Sequence, residues 1–147
     1  HEILGGLKDL SLPIIFPIHP RTKNKITEFN LTSFLNEMII TEPLGFIDMM
    51  FLERNAFLIL TDSGGIQKEA YLQKTPCITL REETEWIELI ENGWNKLANP
   101  LNSKNIKSLI NLEIGRKLKR DYSDIYGRGF TAKLILDSIL DYLSKKD

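Results

Sequence analysis

Ala56-Phe57-Leu58-Ile59-Leu60-Thr61-Asp62-Ser63-Gly64-Gly65-Ile66-Gln67-Lys68-Glu69-Ala70 decides how the rest of this chain is read. An unbroken apolar run, Ala56 to Leu60, closed by a turn signal has the length of a buried strand. It empties into a small, polar, glycine-bearing turn, after which helical spacing resumes through Leu72. A buried strand that leads directly into a helix is half of a βαβ unit, the building block of a parallel sheet.

The pattern repeats outward from that stretch. Downstream, Pro76-Cys77-Ile78-Thr79-Leu80 is another buried strand, ending at Arg81-Glu82-Glu83-Thr84-Glu85. A short helix from Trp86 to Glu91 leads through Asn92-Gly93 to a last strand, Trp94 to Ala98. Ile106, Leu109 and Ile110 then mark one helix, and Ile135, Leu136, Ile139, Leu140 and Leu143 a longer terminal one. Upstream, Leu12 to Ile18 is a strand whose prolines, 13 and 17, limit how its ends pair. His19-Pro20-Arg21-Thr22 reads as a loop, Asn24 to Glu37 as a helix and Met38-Ile39-Ile40 as a short strand. After the turn Glu42-Pro43-Leu44-Gly45, a helix over Phe46 to Arg54 presents Ile47, Met50 and Phe51. Ile3, Leu4, Leu7 and Leu10 share a helical face with no N-cap before them, so residues 1–10 read as the tail of a helix. Five strands separated by helices imply right-handed crossovers and an α/β fold, a parallel sheet with helices on both faces.

Composition narrows the function. The 147 residues carry 19 Lys+Arg against 20 Asp+Glu, a formal net charge of -1, and no basic cluster, which argues against nucleic-acid binding. Apolar runs are far too short to span a bilayer, so no membrane partner is expected. Cys77 is alone, which excludes an internal disulfide and a Cys-rich metal site. A cytosolic, metal-free domain is the expectation.

In an open α/β sheet, ligands bind in the crevice beyond the carboxyl ends of the strands. Three polar clusters fall there: His19-Pro20-Arg21, Asp62-Ser63-Gly64-Gly65 and Arg81 to Glu85. The Ser-Gly-Gly turn sets unpaired N–H groups and the positive end of a helix dipole beside residues that let an anion come close. Phosphate or diphosphate is the natural guest. The same residues also read as a tight turn in which Asp62 or Ser63 merely caps the helix, and the string alone does not choose. It is neither a Walker A loop nor a dinucleotide fingerprint. Glu69 lies six residues past Ser63, where a carboxylate can accept from two neighbouring hydroxyls such as those of a ribose. His19 stands at a strand end rather than on an apolar face. Arg21 reads equally as a phosphate ligand or a solvated side chain, and Arg81 has Glu82, Glu83 and Glu85 as ready local partners. Trp86, Trp94 and Cys77 are assigned to packing. The acidic run 82–91 reads as a largely solvated helix face, and its Glu83–Glu91 spacing as accidental.

Taken in order, Phe16-Pro17-Ile18-His19-Pro20-Arg21, Leu60-Thr61-Asp62-Ser63-Gly64-Gly65-Ile66-Gln67-Lys68-Glu69-Ala70 and Arg81-Glu82-Glu83-Thr84-Glu85-Trp86 resemble the C-terminal half of the non-hydrolysing UDP-N-acetylglucosamine 2-epimerases. Tyr126-Gly127-Arg128-Gly129-Phe130-Thr131-Ala132 resembles that family's turn before its final helix. The Glu-Thr-Glu-Trp and His-Pro-Arg variants resemble its archaeal-type branch. The resemblance implies a Rossmann-like domain, the C-terminal half of a GT-B-like two-domain fold. It implies that residues 1–147 form the nucleotide-binding domain, with 1–10 the remnant of a preceding helix and 131–144 the terminal helix, and that an N-terminal catalytic domain is absent from this sequence.

The implied reaction inverts C2 of UDP-GlcNAc to give UDP-ManNAc, by elimination of UDP to a 2-acetamidoglucal and re-addition, with no cofactor and no metal. By position, Ser63, Gly64 and Gly65 hold the diphosphate and Glu69 the ribose, while His19 acts at the departing diphosphate. Arg21 and Arg81 join the UDP site, with Met49 against the uracil and Phe46 as a nearby aromatic. The expected partners are UDP-GlcNAc or UDP, the missing N-terminal domain, and a homodimer mate. The implied residues for proton transfer at C2 lie in the absent domain, so weak UDP binding without epimerisation is expected of this chain alone. A GT-B-type glycosyltransferase and a non-enzymatic nucleotide-sugar sensor remain the competing readings.

Overall fold

The computed structural model describes residues 1–116 and 122–145. Helix α1, Glu2–Gly6, precedes strand β1, Ile14–Pro17, and helix α2, Pro20–Glu28. A 3-10 helical turn, Thr32–Glu37, leads to β2, Met38–Thr41. Then come α3, Phe46–Asn55; β3, Ile59–Thr61; α4, Gly64–Leu72; and β4, Cys77–Thr79. The chain continues through α5, Ile87–Glu91; β5, Asn95–Leu97; α6, Ser103–Ile114; and α7, Thr131–Ser144. Every strand pair is parallel, as an alternating βα order requires.

The strands form two ladders, β1–β2 and β3–β4–β5, rather than one five-stranded ladder. Pro13 and Pro17 bracket Ile14 to Phe16 and bring no N–H, which restricts what β1 can pair with beyond β2. Packing joins the two halves through α1. Its Leu4 packs with Ile18 and Ile26 beside β1 and β2, while Ile3 and Leu7 reach the cluster of Ile78, Ala98, Ile106 and Ile110. Ile3, Leu4, Leu7 and Leu10 therefore pack into the core, while His1, Lys8 and Asp9 stay exposed.

Local chemistry moves several boundaries. Helix α2 begins at Pro20, not Asn24, because His19 caps it and proline at the first helical position is pre-shaped for the turn. It stops at Glu28, where Asn30 adopts φ +56°, and only a 3-10 turn continues to Glu37. On α3, Ile47 and Phe51 face outward, whereas Met49, Met50, Leu52 and Glu53 are half-buried or buried. The expected Ile47–Met50–Phe51 face is thus not the packed one. Helix α7 forms where its apolar spacing places it, yet Leu134, Ile135, Leu136, Ile139, Leu140 and Leu143 are 51–64% exposed. Among the described residues no helix is long and apolar enough to cross a membrane.

Helices α1 and α6 approach closely at Gly6, where an added Cβ would stand 2.8 Å from the Ile106 Cβ and 3.0 Å from the Ser103 carbonyl oxygen. At Gly5 the nearest atom would be 3.6 Å away, an ordinary contact. Gly6→Ala should therefore lower stability by about 1–3 kcal/mol through overpacking. Gly5→Ala should be close to neutral, and urea unfolding of both variants checks the contrast.

Candidate functional site

The turn between β3 and α4 is built to leave a helix end open. Thr61 Oγ1 accepts the Ser63 N–H at 3.0 Å, which sets Ser63 as the N-cap in extended conformation. The Ser63 hydroxyl makes no capping hydrogen bond. Only the long Gln67 N–H to Ser63 carbonyl contact, 3.4 Å, closes the first turn. Among the described residues the N–H groups of Gly64 and Gly65 have no acceptor. The chain does not use the capping alternative, and a hydroxyl and two N–H donors are left at the positive end of the helix.

The two glycines do different work. A Cβ on Gly64 would collide with the Glu85 carboxylate, and the Trp86 Nε1–H donates to the Gly64 carbonyl at 2.9 Å. Gly64 is therefore where the segment from Arg81 to Trp86 packs against the helix. Gly65 is exposed, and a Cβ there would meet only the Ser63 Oγ, at 3.8 Å. The open approach for an anion is over Gly65. Arg81 pairs with Glu85 at 3.2 Å, so it has taken a local partner.

Behind the turn lies a buried polar network. Gln67 Oε1 accepts from the Thr84 hydroxyl at 2.6 Å and from Asn95 Nδ2 at 3.0 Å. Asn95 also bonds Thr79, at 2.8 Å, and the Trp86 N–H donates to Thr84 Oγ1 at 3.1 Å. One side-chain oxygen thus ties α4 to β4, β5 and the 81–86 segment. Gln67 and Asn95 went unassigned in the sequence; the available signal was a polar residue inside each of two otherwise buried elements.

His19 sits at the end of β1, exposed, with Nδ1 accepting the Arg21 N–H at 3.2 Å. An imidazole whose Nδ1 accepts carries its proton on Nε2 when neutral, so it presents an N–H donor outward. Arg21 lies in the first turn of α2, exposed and without an ion-pair partner among the described residues. Phe46 opens α3 and is 66% exposed, while Met49 is half-buried one turn on. Glu69, half-buried on α4, faces Glu53 of α3, whose carboxyl is buried. The Trp86–Gly64 hydrogen bond, the close approach of Glu85 to Gly64 and the Arg81–Glu85 pair gather Ser63, Gly64, Arg81 and Glu85 at one place, and His19 holds Arg21 at another, with no hydrogen bond between the two groups among the described residues.

Other assignments sharpen. Burial pushes the Cys77 thiol up to about 12, making it an inert strand residue. Lys68 Nζ lies 3.9 Å from the Trp86 ring centre and 4.6 Å from that of Tyr126. The Tyr126 hydroxyl donates to Glu88 at 2.6 Å, lowering the Glu88 carboxyl, while burial raises the Tyr126 phenol. Glu88, like Glu82 with Asn99 and Glu85 with Arg81, is engaged rather than merely solvated. Gly127 and Gly129 take φ +77° and +82°, backbone that only glycine adopts freely, which fixes the turn into α7. Among the described residues no three His, Cys, Asp or Glu side chains are grouped as a metal ion requires.

The family model for UDP-N-acetylglucosamine 2-epimerase matches residues 1–140. The UDP-N-acetylglucosamine 2-epimerase of Methanocaldococcus jannaschii is 47% identical over 132 residues, which are 88% of this chain and 35% of that protein. A UDP-2,3-diacetamido-2,3-dideoxy-D-glucuronate 2-epimerase of Pseudomonas aeruginosa is 35% identical over 144 residues, 98% of this chain and 38% of the relative. A crystal structure of the M. jannaschii enzyme with UDP-GlcNAc and UDP superposes with a TM-score of 0.80 at 40% identity, covering 96% of this chain and 39% of the other. The chain therefore spans between a third and two-fifths of the length of these relatives.

Gly64→Ala should swing the half-exposed Glu85 carboxylate away and break its pairing with Arg81 while leaving Trp86 in place, for a loss of about 1 kcal/mol or less. Gly65→Ala should be neutral or stabilising by up to about 1 kcal/mol, as alanine is the better helix former. Thermal unfolding of the two variants tests the division of labour.

Proposed function

This chain belongs to the UDP-N-acetylglucosamine 2-epimerase family, and from that premise we propose that it is the nucleotide-holding part of an enzyme that inverts C2 of a UDP-2-acetamido sugar. UDP-GlcNAc is the proposed substrate and UDP-ManNAc the product. The single observation that carries the proposal is the helix end at Ser63-Gly64-Gly65, whose hydroxyl and N–H donors have no acceptor among the described residues.

The proposed chemistry asks little of a binding domain beyond holding UDP. A proton leaves C2, the C1–O bond to UDP breaks and a C1=C2 double bond forms, giving the 2-acetamidoglucal. Negative charge then grows on the departing diphosphate. Donors already aimed at that position stabilise the charge as it develops and need no reorganisation. In this reading, Ser63, Gly64 and Gly65 hold the diphosphate and the outward Nε2–H of His19 serves its leaving oxygen. Arg21 adds positive charge at the same end, and Arg81 contributes through the segment it braces with Glu85. Glu69 accepts from the ribose hydroxyls, and the uracil rests on Met49 with Phe46 beside it. UDP then returns to C1 while a proton is delivered to the other face of C2.

Relatives named for N-acetylglucosamine and for a diacetamido glucuronate resemble the chain over most of its length. What those two sugars share is the 2-acetamido group on a UDP-linked ring, and the proposal is framed on that. The proton-transferring groups are proposed to lie in the part of the family's fold outside these residues, so that residues 1–147 are the C-terminal nucleotide domain. A cytosolic setting and a homodimer belong to the same proposal.

Incubating the whole protein with UDP-GlcNAc in deuterated water should give UDP-ManNAc with deuterium at C2, followed by proton NMR. Ser63→Ala should lower kcat by about a hundredfold to a thousandfold, the range for losing one donor to a developing anion. Sugar transfer to an acceptor without exchange at C2 would instead favour the glycosyltransferase reading.

A further inference from the structure

Glu53 lies outside the proposed nucleotide contacts, yet it is 2% exposed near the C-terminal end of α3. Its backbone carbonyl accepts the buried Thr75 hydroxyl at 2.7 Å, and Thr75 in turn donates its N–H to the Ala70 carbonyl at 2.9 Å. The α4–β4 connection thereby clamps the end of α3 against α4. Neither Glu53 oxygen has a partner apart from Glu69. The groups that face it are the Glu69 carboxyl from α4 and the Cys77 thiol from β4. Arg54, next on α3, is exposed, and no Lys, Arg or His among the described residues acts on Glu53.

A buried carboxylate with no cation beside it is strongly disfavoured, so the group keeps its proton. Burial, and then the facing Glu69, push the Glu53 carboxyl up to about 7. The protonated form has an O–H to give, and Glu69 is the acceptor in front of it.

We propose that Glu53 is a positioning residue for Glu69: protonated, it donates a hydrogen bond that holds the Glu69 carboxylate in the orientation that receives the ribose hydroxyls. The inference rests on the ribose role given to Glu69 above. When Glu53 loses its proton the two carboxylates repel, Glu69 turns away, and selection for a ribonucleotide weakens. The linkage has a definite sign. A carboxyl raised from 4.5 to about 7 keeps its proton in the folded state after the unfolded chain has lost it. Stability therefore falls as pH rises through that window and stays lower above it.

The test compares UDP with 2′-deoxy-UDP by titration calorimetry at pH 6 and pH 8.5, on the protein and on its Glu53→Gln and Glu53→Leu variants. The ratio of the two affinities cancels every pH effect that both ligands share. The wild-type preference for UDP should shrink roughly tenfold between the two pH values, about what one hydrogen bond to a charged group supports. Glu53→Gln, whose amide always donates, should keep the preference at both. Glu53→Leu should fold and show the weak preference throughout. Alongside, the wild-type Tm should fall relative to Glu53→Gln by about 5 °C or more from pH 5 to pH 8. An identical pH response of the preference in wild type and Glu53→Gln overturns the proposal. A wild-type Tm that falls as stated with no preference for UDP at either pH would show Glu53 protonated but Glu69 not at a ribose, and overturns the reading of the site itself.

Discussion

A buried side-chain carbonyl oxygen must be hydrogen-bonded, and serving Gln67 Oε1 organises this half of the molecule, while the buried Nε2 of the same amide has no partner among the described residues. Its Oε1 gathers Thr84 and Asn95, and so brings α4, the β4–β5 pair and the segment after β4 to one point. Because that segment is pinned from behind, Trp86 and Glu85 can close on Gly64 from the front. The helix end is then held from the side without its own capping bond, and among the described residues the Ser63 hydroxyl and the Gly64 and Gly65 N–H groups have no acceptor, which is what the proposed diphosphate would use. A Gln67→Leu chain would fill the same volume and lose the link between these elements.

The same economy explains why the two glycines are not equivalent. At Gly64 protein comes close, whereas the space over Gly65 is open, and it is there that the proposed diphosphate would lie. Sequence presents them as a pair, since both fit a phosphate turn. Their separate constraints become visible only when Glu85, twenty-one residues beyond Gly64, returns to lie against it.

Much of the architecture was legible in the residues. Apolar runs bounded by turn signals mark the five strands of the described residues, and the passage from Thr61 to Gly65 marks the β3–α4 junction on which the proposed site is built. The start of α2 is hidden because His19 and Pro20 look like loop residues, although a capping side chain followed by proline is a helix start. The split into two ladders depends on what β1 can pair with, which apolar runs do not report. The orientation of α3 was misread because Ile47 and Phe51 look like core while Glu53 looks like surface; burial of a carboxyl opposite another carboxyl is a tertiary fact. Glu53 does share a helical face with Met49, four residues before it, and that spacing was the one hint available. Residues 117–121 lie outside the described part, so the approach to the Tyr126 turn is known only from Tyr122 onward.

The central claim is that UDP sits on the β3–α4 turn, and calorimetric titration with UDP, repeated on Ser63→Ala and Glu69→Ala, tests it most directly. The account predicts saturable binding that each substitution weakens by roughly five- to a hundredfold, the span of losing a hydrogen bond to a neutral or charged partner. Binding that neither substitution changes would contradict it and place the nucleotide elsewhere on the protein.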